Sequence, residues 1–527
     1  MLLLLTLITI LNIFLPCAVA LETDPYPQSP KDRRLVLSAN QNSETYTIDN
    51  IIIKNSSILT EEQKNNINKN WQREYQQLDD LLAAGLELAT FISTIYKNQG
   101  YITSWANFPP QDQLNEGILI IEVFEGSLEE IEINGAKKLD KNYILSRLNS
   151  AYEKPLNNFH LSNNLDKLSR DPLIKSLNSD LQEGSQKNLS ILVLNIEETL
   201  PQTLSFQGNN TAPAGTGSEE GLFTYNNKNL FGGGQEFLLQ YGKSEGKDLG
   251  YISFNFPVTS ENTRLQFRGQ IESNEIVVEP LNLFDFENDV TTVGLDLQHP
   301  VIDNKNNSLL LSLSYDYHRS ENFILGERFE FDERFPNGIA EYQVLRFSPQ
   351  WINRSPNQVF SLKAQFNVGI ERSFFYTQLD FDFLQAFSEN LLFSFRVESQ
   401  FADQILFPQE QCKIGGSQFG NGAVRGYARQ AFRNDNCIVG SAQVPWTAFK
   451  DKFVGWEIKL VPFLEAGYVW ESEDSILPKQ TLASSGVELG FSWGSFSVSA
   501  YYGLPLIDVV DELEEPFGIR GGFNWQF

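Results

Sequence analysis

The sequence predicts a transmembrane antiparallel β-barrel of about sixteen strands, preceded by two small α+β modules. Three observations carry this prediction. From about residue 201 to 527, segments of roughly ten residues alternate apolar and polar side chains, as a strand between lipid and a wet lumen requires. Short and long connections alternate between them, as periplasmic turns and extracellular loops do in such barrels. After residue 20, no apolar run reaches the roughly 18 residues that a spanning helix needs.

The strands justify themselves one by one. In 309–318, Leu309, Leu311, Leu313, Tyr315 and Tyr317 lie on one face, and Leu310, Ser312, Ser314, Asp316 and His318 on the other. In 360–370, Phe360, Leu362, Phe366 and Val368 oppose Ser361, Lys363, Gln365 and Asn367. The segments 375–383 and 391–401 repeat the pattern, and Arg264, Gln266, Arg268 and Gln270 form a polar face opposite Leu265 and Phe267. A soluble sandwich also alternates. The strand length, and the Tyr, Phe and Trp recurring at strand ends like interfacial girdles, favour the barrel. Short connections are expected at 257–263, 351–358, 385–390 and 493–495. Long ones are expected at 272–289, 319–341, 402–436 and 505–516.

Residues 2–20 are one apolar stretch ending in Ala18-Val19-Ala20, which reads as a secretory signal with its cleavage site. A retained anchor helix is the alternative, because the run is near spanning length. Residues 21–45 contain Pro25, Pro27 and Pro30 and read as a flexible lead-in. The net charge of −27 argues against nucleic acid and suits solvated loops.

Residues 46–126 read strand, helix, helix, strand, strand, and 127–199 repeat that order. The two copies of about 75 residues suggest a duplicated domain. A helix is expected over 78–98, ending before Gly100, and a strand over 101–105. The phrases GILIIEVFEG at 117–126 and IEING at 131–135, in this order of elements, resemble polypeptide-transport-associated (POTRA) domains. Tyr101, Ile102, Thr103, Ser104 and Trp105 are accordingly expected to form a client-binding edge strand, open to strand addition by an extended chain.

The longest loop holds Cys412, then Val424-Arg425-Gly426-Tyr427, then Cys437. Two strands later comes Phe463-Leu464-Glu465-Ala466-Gly467. These residues resemble two-partner secretion outer-membrane transporters of the haemolysin secretion/activation type. The resemblance extends from about residue 46 to the end. It implies that Val424, Arg425, Gly426 and Tyr427 form the tip of a sixth extracellular loop folded into the lumen. It also implies that Phe463, Glu465 and Gly467 form the barrel-wall motif that receives this tip. Glu465 stands where the family usually has Asp, which keeps the charge and lengthens the reach. The two cysteines that bracket the loop, in an oxidising compartment, are expected to form a disulfide. The resemblance places the barrel in the outer membrane with the POTRA-like modules in the periplasm. It implies a monomer that takes an unfolded, TpsA-like exoprotein as client. Phe523, Trp525 and Phe527, alternating along the last strand, look like the assembly signal read by the barrel assembly machinery. Some relatives carry an N-terminal plug helix in the lumen; the proline-rich 21–45 does not suggest one.

No catalytic set, metal site or cofactor is expected. The histidines are His160, His299 and His318, read as a helix-surface residue, a periplasmic turn residue and a lumen or loop residue. They assemble no triad or metal cluster. Gly232-Gly233-Gly234 reads as a turn, because no helix follows to complete a phosphate cradle. The rival readings are an assembly factor that inserts other barrels and, further off, a passive porin.

Overall fold

The computed structural model describes residues 46–527, apart from 332, 371–372, 417–421, 452, 473–479 and 511–512. The expected signal, its cleavage site and the lead-in at 21–45 lie outside the described residues. Among those residues no helix is long and apolar enough to cross a membrane.

The first module begins with a strand in two pieces, Tyr46–Thr47 and Asn50–Lys54. The helix Glu61–Trp71 starts where Thr60 caps it. The Thr60 hydroxyl accepts from the Gln63 N–H and the Gln63 side chain accepts from the Thr60 N–H, a reciprocal capping box. The helix Leu78–Asn98 buries Leu81, Leu88, Ile92 and Tyr96, which recur at the spacing of one helical face. Burial pushes the Tyr96 hydroxyl well above the ordinary phenol range, so it stays protonated and donates to Glu125.

The sheet places Ile118–Phe124 between Asn50–Lys54 and Trp105–Asn107. The expected strand over 101–105 is corrected here. Tyr101, Ile102, Thr103 and Ser104 form a turn, and only Trp105 enters a strand. Gly100 leaves the helix with φ +93°, the Ser104 N–H donates back to the Tyr101 carbonyl, and Gly126 packs against the Thr103 backbone. Such a reversal precludes extended pairing. The second sheet repeats the first: Leu189–Glu198 lies between Ser127–Asn134, which it parallels, and Ile174–Glu183.

The barrel is closed. Its strands, in chain order among the described residues, are β1 Gln202–Asn209, β2 Glu220–Asn227, β3 Glu236–Lys243, β4 Lys247–Pro257, β5 Arg264–Glu275 and β6 Phe286–Asp303. Then come β7 Asn307–Ile324, β8 Ile339–Ser355, β9 Gln358–Gly369, β10 Phe375–Ala386 and β11 Leu392–Ala402. The last are β12 (Asn436–Gln443 continued by Trp446–Lys450), β13 Trp456–Trp470, β14 Gln480–Trp493, β15 Phe496–Pro505 and β16 Phe517–Gln526. Every neighbouring pair is antiparallel, and β16 closes on β1 through Phe523 opposite Phe206 and Trp525 opposite Leu204. Closure leaves no unpaired strand edge in hydrocarbon. Phe527 adds a reciprocal backbone pair with Gln202.

Alternation sets the two faces. Phe267, Leu313, Tyr315, Phe366, Val368 and Phe401 are exposed on the outer face, while Asp296, Asp316, His318, Asn367 and Gln400 are buried on the inner one. Outward aromatics meet across strands, as at Phe237–Phe254 (4.9 Å) and Phe360–Phe381 (5.3 Å). The long connections fall at 210–219, 276–285, 325–338, 403–435, 471–479 and 506–516, all on one end. The connections 244–246 and 370–374 on that end are short. His299, expected in a turn, lies within β6 and bonds Thr263.

Candidate functional site

The connection 403–435, here called loop 6, leaves β11 and returns into β12. Its stem is a two-stranded ribbon in which Cys412–Ile414 pairs with Phe432–Asn434. Cys412 and Cys437 are bonded, with Cα atoms 6.1 Å apart, across a separation of 25 residues. Gly415 (φ +112°) and Gly416 (φ +77°) turn the chain beyond the stem, and Gly416 bridges to Val424.

The wall that receives the tip is β13. Its inner face is Phe463, Glu465, Gly467 and Val469, since Leu464 between them is exposed and Phe463, Glu465 and Val469 are buried. The period of two therefore aims the whole motif at the lumen. Val424, Arg425 and Tyr427 are all buried against this wall and its neighbours. The tip lies within the barrel.

Arg425 is 4% exposed and Glu465 1%, so their contact is made out of water. The guanidinium donates to Glu465 Oε1 from Nε (3.0 Å) and from Nη2 (2.6 Å). The backbone N–H of Arg425 donates to Glu465 Oε2 at 2.7 Å. The longer glutamate thus serves side chain and backbone of one residue with its two oxygens. Ser441 adds a donor to Oε1. The guanidinium carbon sits 3.5 Å over the Phe463 ring, a cation–π contact that uses the flat face of Arg. On β14, Glu488 accepts from Arg425 Nη1 at 2.9 Å and from Arg520 of β16 at 2.6 Å.

The glycines make room for the tip. A Cβ on Gly467 would lie 3.2 Å from Val424 Cγ2. One on Gly503 of β15 would lie 2.7 Å from the Gly426 nitrogen. Gly426 itself has φ +104°. Tyr427 donates its hydroxyl proton to the Ala483 or Ile507 carbonyl, at 2.8 and 2.9 Å, and accepts from the Ile507 N–H. Gly426–Tyr427 also pairs with Glu514–Glu515 of the last loop. At the start of the tip, Glu398 of β11 accepts from the Gly422 N–H at 2.7 Å.

The structure therefore brings together Val424, Arg425, Gly426, Tyr427, Phe463, Glu465 and Gly467. Tyr101–Trp105 and the Phe523, Trp525, Phe527 set lie elsewhere. Sequence reasoning missed Glu488, Arg520 and Glu398. Glu488 is flagged only by its inward parity between exposed Val487 and Leu489. Among the described residues no cluster of His, Cys, Asp or Glu could hold a metal.

Removing the disulfide tests how far it holds the loop. Cys412→Ser with Cys437→Ser is expected to cost roughly 3–4 kcal/mol on the loop-entropy account. Thermal unfolding of the oxidised protein against the double variant reads this; equal midpoints would contradict it.

A closed barrel, a periplasmic α+β module and a buried charged loop tip seated on a luminal carboxylate define an outer-membrane transporter rather than an open porin. The family model for the haemolysin secretion/activation protein ShlB/FhaC/HecB matches residues 188–491, and that for the ShlB-type POTRA domain matches 46–126. The first match covers more than half of the chain, and the chain belongs to that family. The chain is 22% identical over 497 residues to the outer membrane transporter CdiB of Escherichia coli O6:K15:H31, covering 89% of this chain and 80% of the relative. The solved structure of CdiB from Escherichia coli is similar at a TM-score of 0.68 and 17% identity, covering 95% and 94% of the two chains. CdiB from Acinetobacter baumannii is similar at 0.64 and 15% identity, covering 99% and 97%. The protein is thus an outer-membrane transporter of the two-partner secretion type, with its POTRA region in the periplasm.

Proposed function

We propose that this barrel captures one unfolded exported protein in the periplasm and passes it through the lumen to the cell surface. The observation that carries the reading is the buried Arg425 tip. A protein pore needs an occupant that can be removed, and a tip held by a few charged contacts supplies one. The client is a TpsA-like exoprotein, as the family works with such partners. No nucleotide hydrolysis is needed in a compartment without ATP. The chain works as a monomer in outer-membrane lipid, delivered by the barrel assembly machinery through Phe523, Trp525 and Phe527. In this reading, residues 1–20 are the removed signal, 21–45 the lead-in, 46–126 and 127–199 the two POTRA domains, and 200–527 the pore.

Capture is assigned to a sheet edge, where unpaired N–H and C=O groups can take an extended strand. Trp105–Asn107 is only three residues long, and the Ala106 N–H already donates to Ser93 Oγ. Ile174–Glu183 offers ten residues at the edge of its sheet and is the better docking strand. A photo-crosslinker at Ser179, on that edge, is expected to trap a secretion-stalled client, and one at Phe91 on the exposed helix face is not. Equal trapping at both positions would contradict strand addition.

A further inference from the structure

We infer that loop 6 has a second, independent anchor at Glu410, so that the tip carrying Arg425 can leave its seat while the outgoing limb stays in place. This rests on the reading of loop 6 as a removable occupant of the pore.

Glu410 precedes the disulfide by two residues and belongs to the outgoing limb of the loop, 403–411. It is 5% exposed. Its carboxylate takes both terminal nitrogens of Arg346 on β8, each at 2.9 Å. It also accepts from the Tyr376 hydroxyl of β10 and, at 3.3 Å, from Tyr342 of β8, with His318 of β7 at 3.4 Å. Arg346 is held in place from behind by Asp316 (2.7 Å) and Asn367 (2.9 Å). A fork-to-fork pair of this kind, largely buried and with every oxygen partnered, is a strong and directional contact.

The rest of the limb is fixed by other means. Phe407 stacks on the Tyr342 ring at 4.1 Å and 5°, and Leu406 is wholly buried. Asp435 of the returning limb accepts from the Leu406 N–H and from the Gln411 side chain. Gln400 of β11 donates to the Glu410 carbonyl. These contacts are to β7, β8, β10 and β11. The charged contacts of Arg425 are to β13 and β14, and the tip packs on Gly503 of β15, on the last loop and, through Gly422, on Glu398 of β11. The two ion-pair sets share no residue.

Between them stands the Cys412–Cys437 bond. It ties the end of the fixed limb to β12, whose Cys437 pairs with Gln400. Loss of the Arg425 contacts then frees the tip at 422–427 and leaves 403–411 in place, with Asp435 and the ribbon of 412–414 and 432–434 still holding it. Residues 403–411 act as part of the pore wall, and Glu410 is a positioning residue for the moving segment.

Thiol labelling separates the anchors without reference to any client. Phe407→Cys reports the limb and Val424→Cys reports the tip; both native side chains are buried. Each is placed in the full chain, in cells, with a membrane-impermeant maleimide. Arg425→Ala is expected to expose the tip thiol and leave the limb thiol protected. Glu410→Ala is expected to expose the limb thiol. Glu410→Gln, which keeps the shape and loses the charge, serves if the alanine variant does not fold, as judged by heat-modifiable migration in gels. Exposure of both thiols by Arg425→Ala would overturn the inference, since the loop would then leave as one body. Continued protection of the limb in a folded Glu410 variant would overturn it too. Neither result bears on whether the protein secretes a partner, which the secretion assay decides.

Discussion

Arg425→Ala is expected to unseat the tip of loop 6 and to abolish secretion while leaving the barrel folded. The substitution removes two guanidinium bonds to Glu465, one to Glu488 and the contact with Phe463. Breaking a buried pair from one side costs about 3–5 kcal/mol, because the stranded charge has no water to turn to. Here the stranded group is Glu465, with Ser441 and the backbone N–H at residue 425 as its remaining donors. Glu488 is affected less, since Arg520 still pairs with it. Arg425→Lys keeps the charge but loses the fork and the flat stacking face, so an intermediate phenotype is expected. Planar-bilayer recordings of the purified protein check the direction: more frequent opening for the alanine variant, less for lysine. Unchanged conductance and unchanged secretion together would remove the loop from the mechanism.

Gly503→Ala is expected to give the same phenotype without altering any charge. The added Cβ would sit 2.7 Å from the nitrogen of Gly426 and 2.8 Å from the carbonyl carbon of Arg425. Both are backbone atoms, so relief requires moving the tip itself. Overpacking of this kind costs about 1–3 kcal/mol. Gly221→Ala is the matched control, because a Cβ there meets nothing within 4 Å. Secretion should fall for the first and hold for the second. Equal secretion in both would show that the tip does not need its close seat on β15.

Much of the barrel was legible because period two is a strong local signal. The faces read from 309–318 and 360–370 are the faces observed, with Asp316, His318 and Asn367 inside and Leu313, Phe366 and Val368 outside. The helix over 78–98 was legible for a similar reason, since its apolar spacing and Gly100 bound it clearly. The turn at 101–104 was not. Tyr101 and Ile102 favour strands by themselves, and what bends them is the close approach of Gly126, distant in sequence. The split of the first strand at 48–49 has a related cause: the Ile48 N–H is taken by the Arg73 carbonyl and the Asp49 N–H by that of Gly117.

The site was legible in part. The loop tip and the wall motif follow from resemblance, and parity puts both on the inner surface. Parity says nothing about height along the barrel or about which luminal groups face one another. Glu488 and Arg520 are 63 and 95 positions from Arg425 in the chain, and only closure of the sheet brings them to it. Glu410 and Arg346 are likewise 64 residues apart. Their pairing depends on how deep the outgoing limb descends, which no local pattern encodes.

The most direct test of the account is depletion of this chain, followed by measurement of both the secreted proteome and the levels of other folded outer-membrane barrels. The account predicts the loss of a single large exoprotein from the cell surface and medium, with the other barrels at normal levels. A general fall of folded barrels, with no exoprotein selectively lost, would contradict it and would make the chain an assembly factor instead.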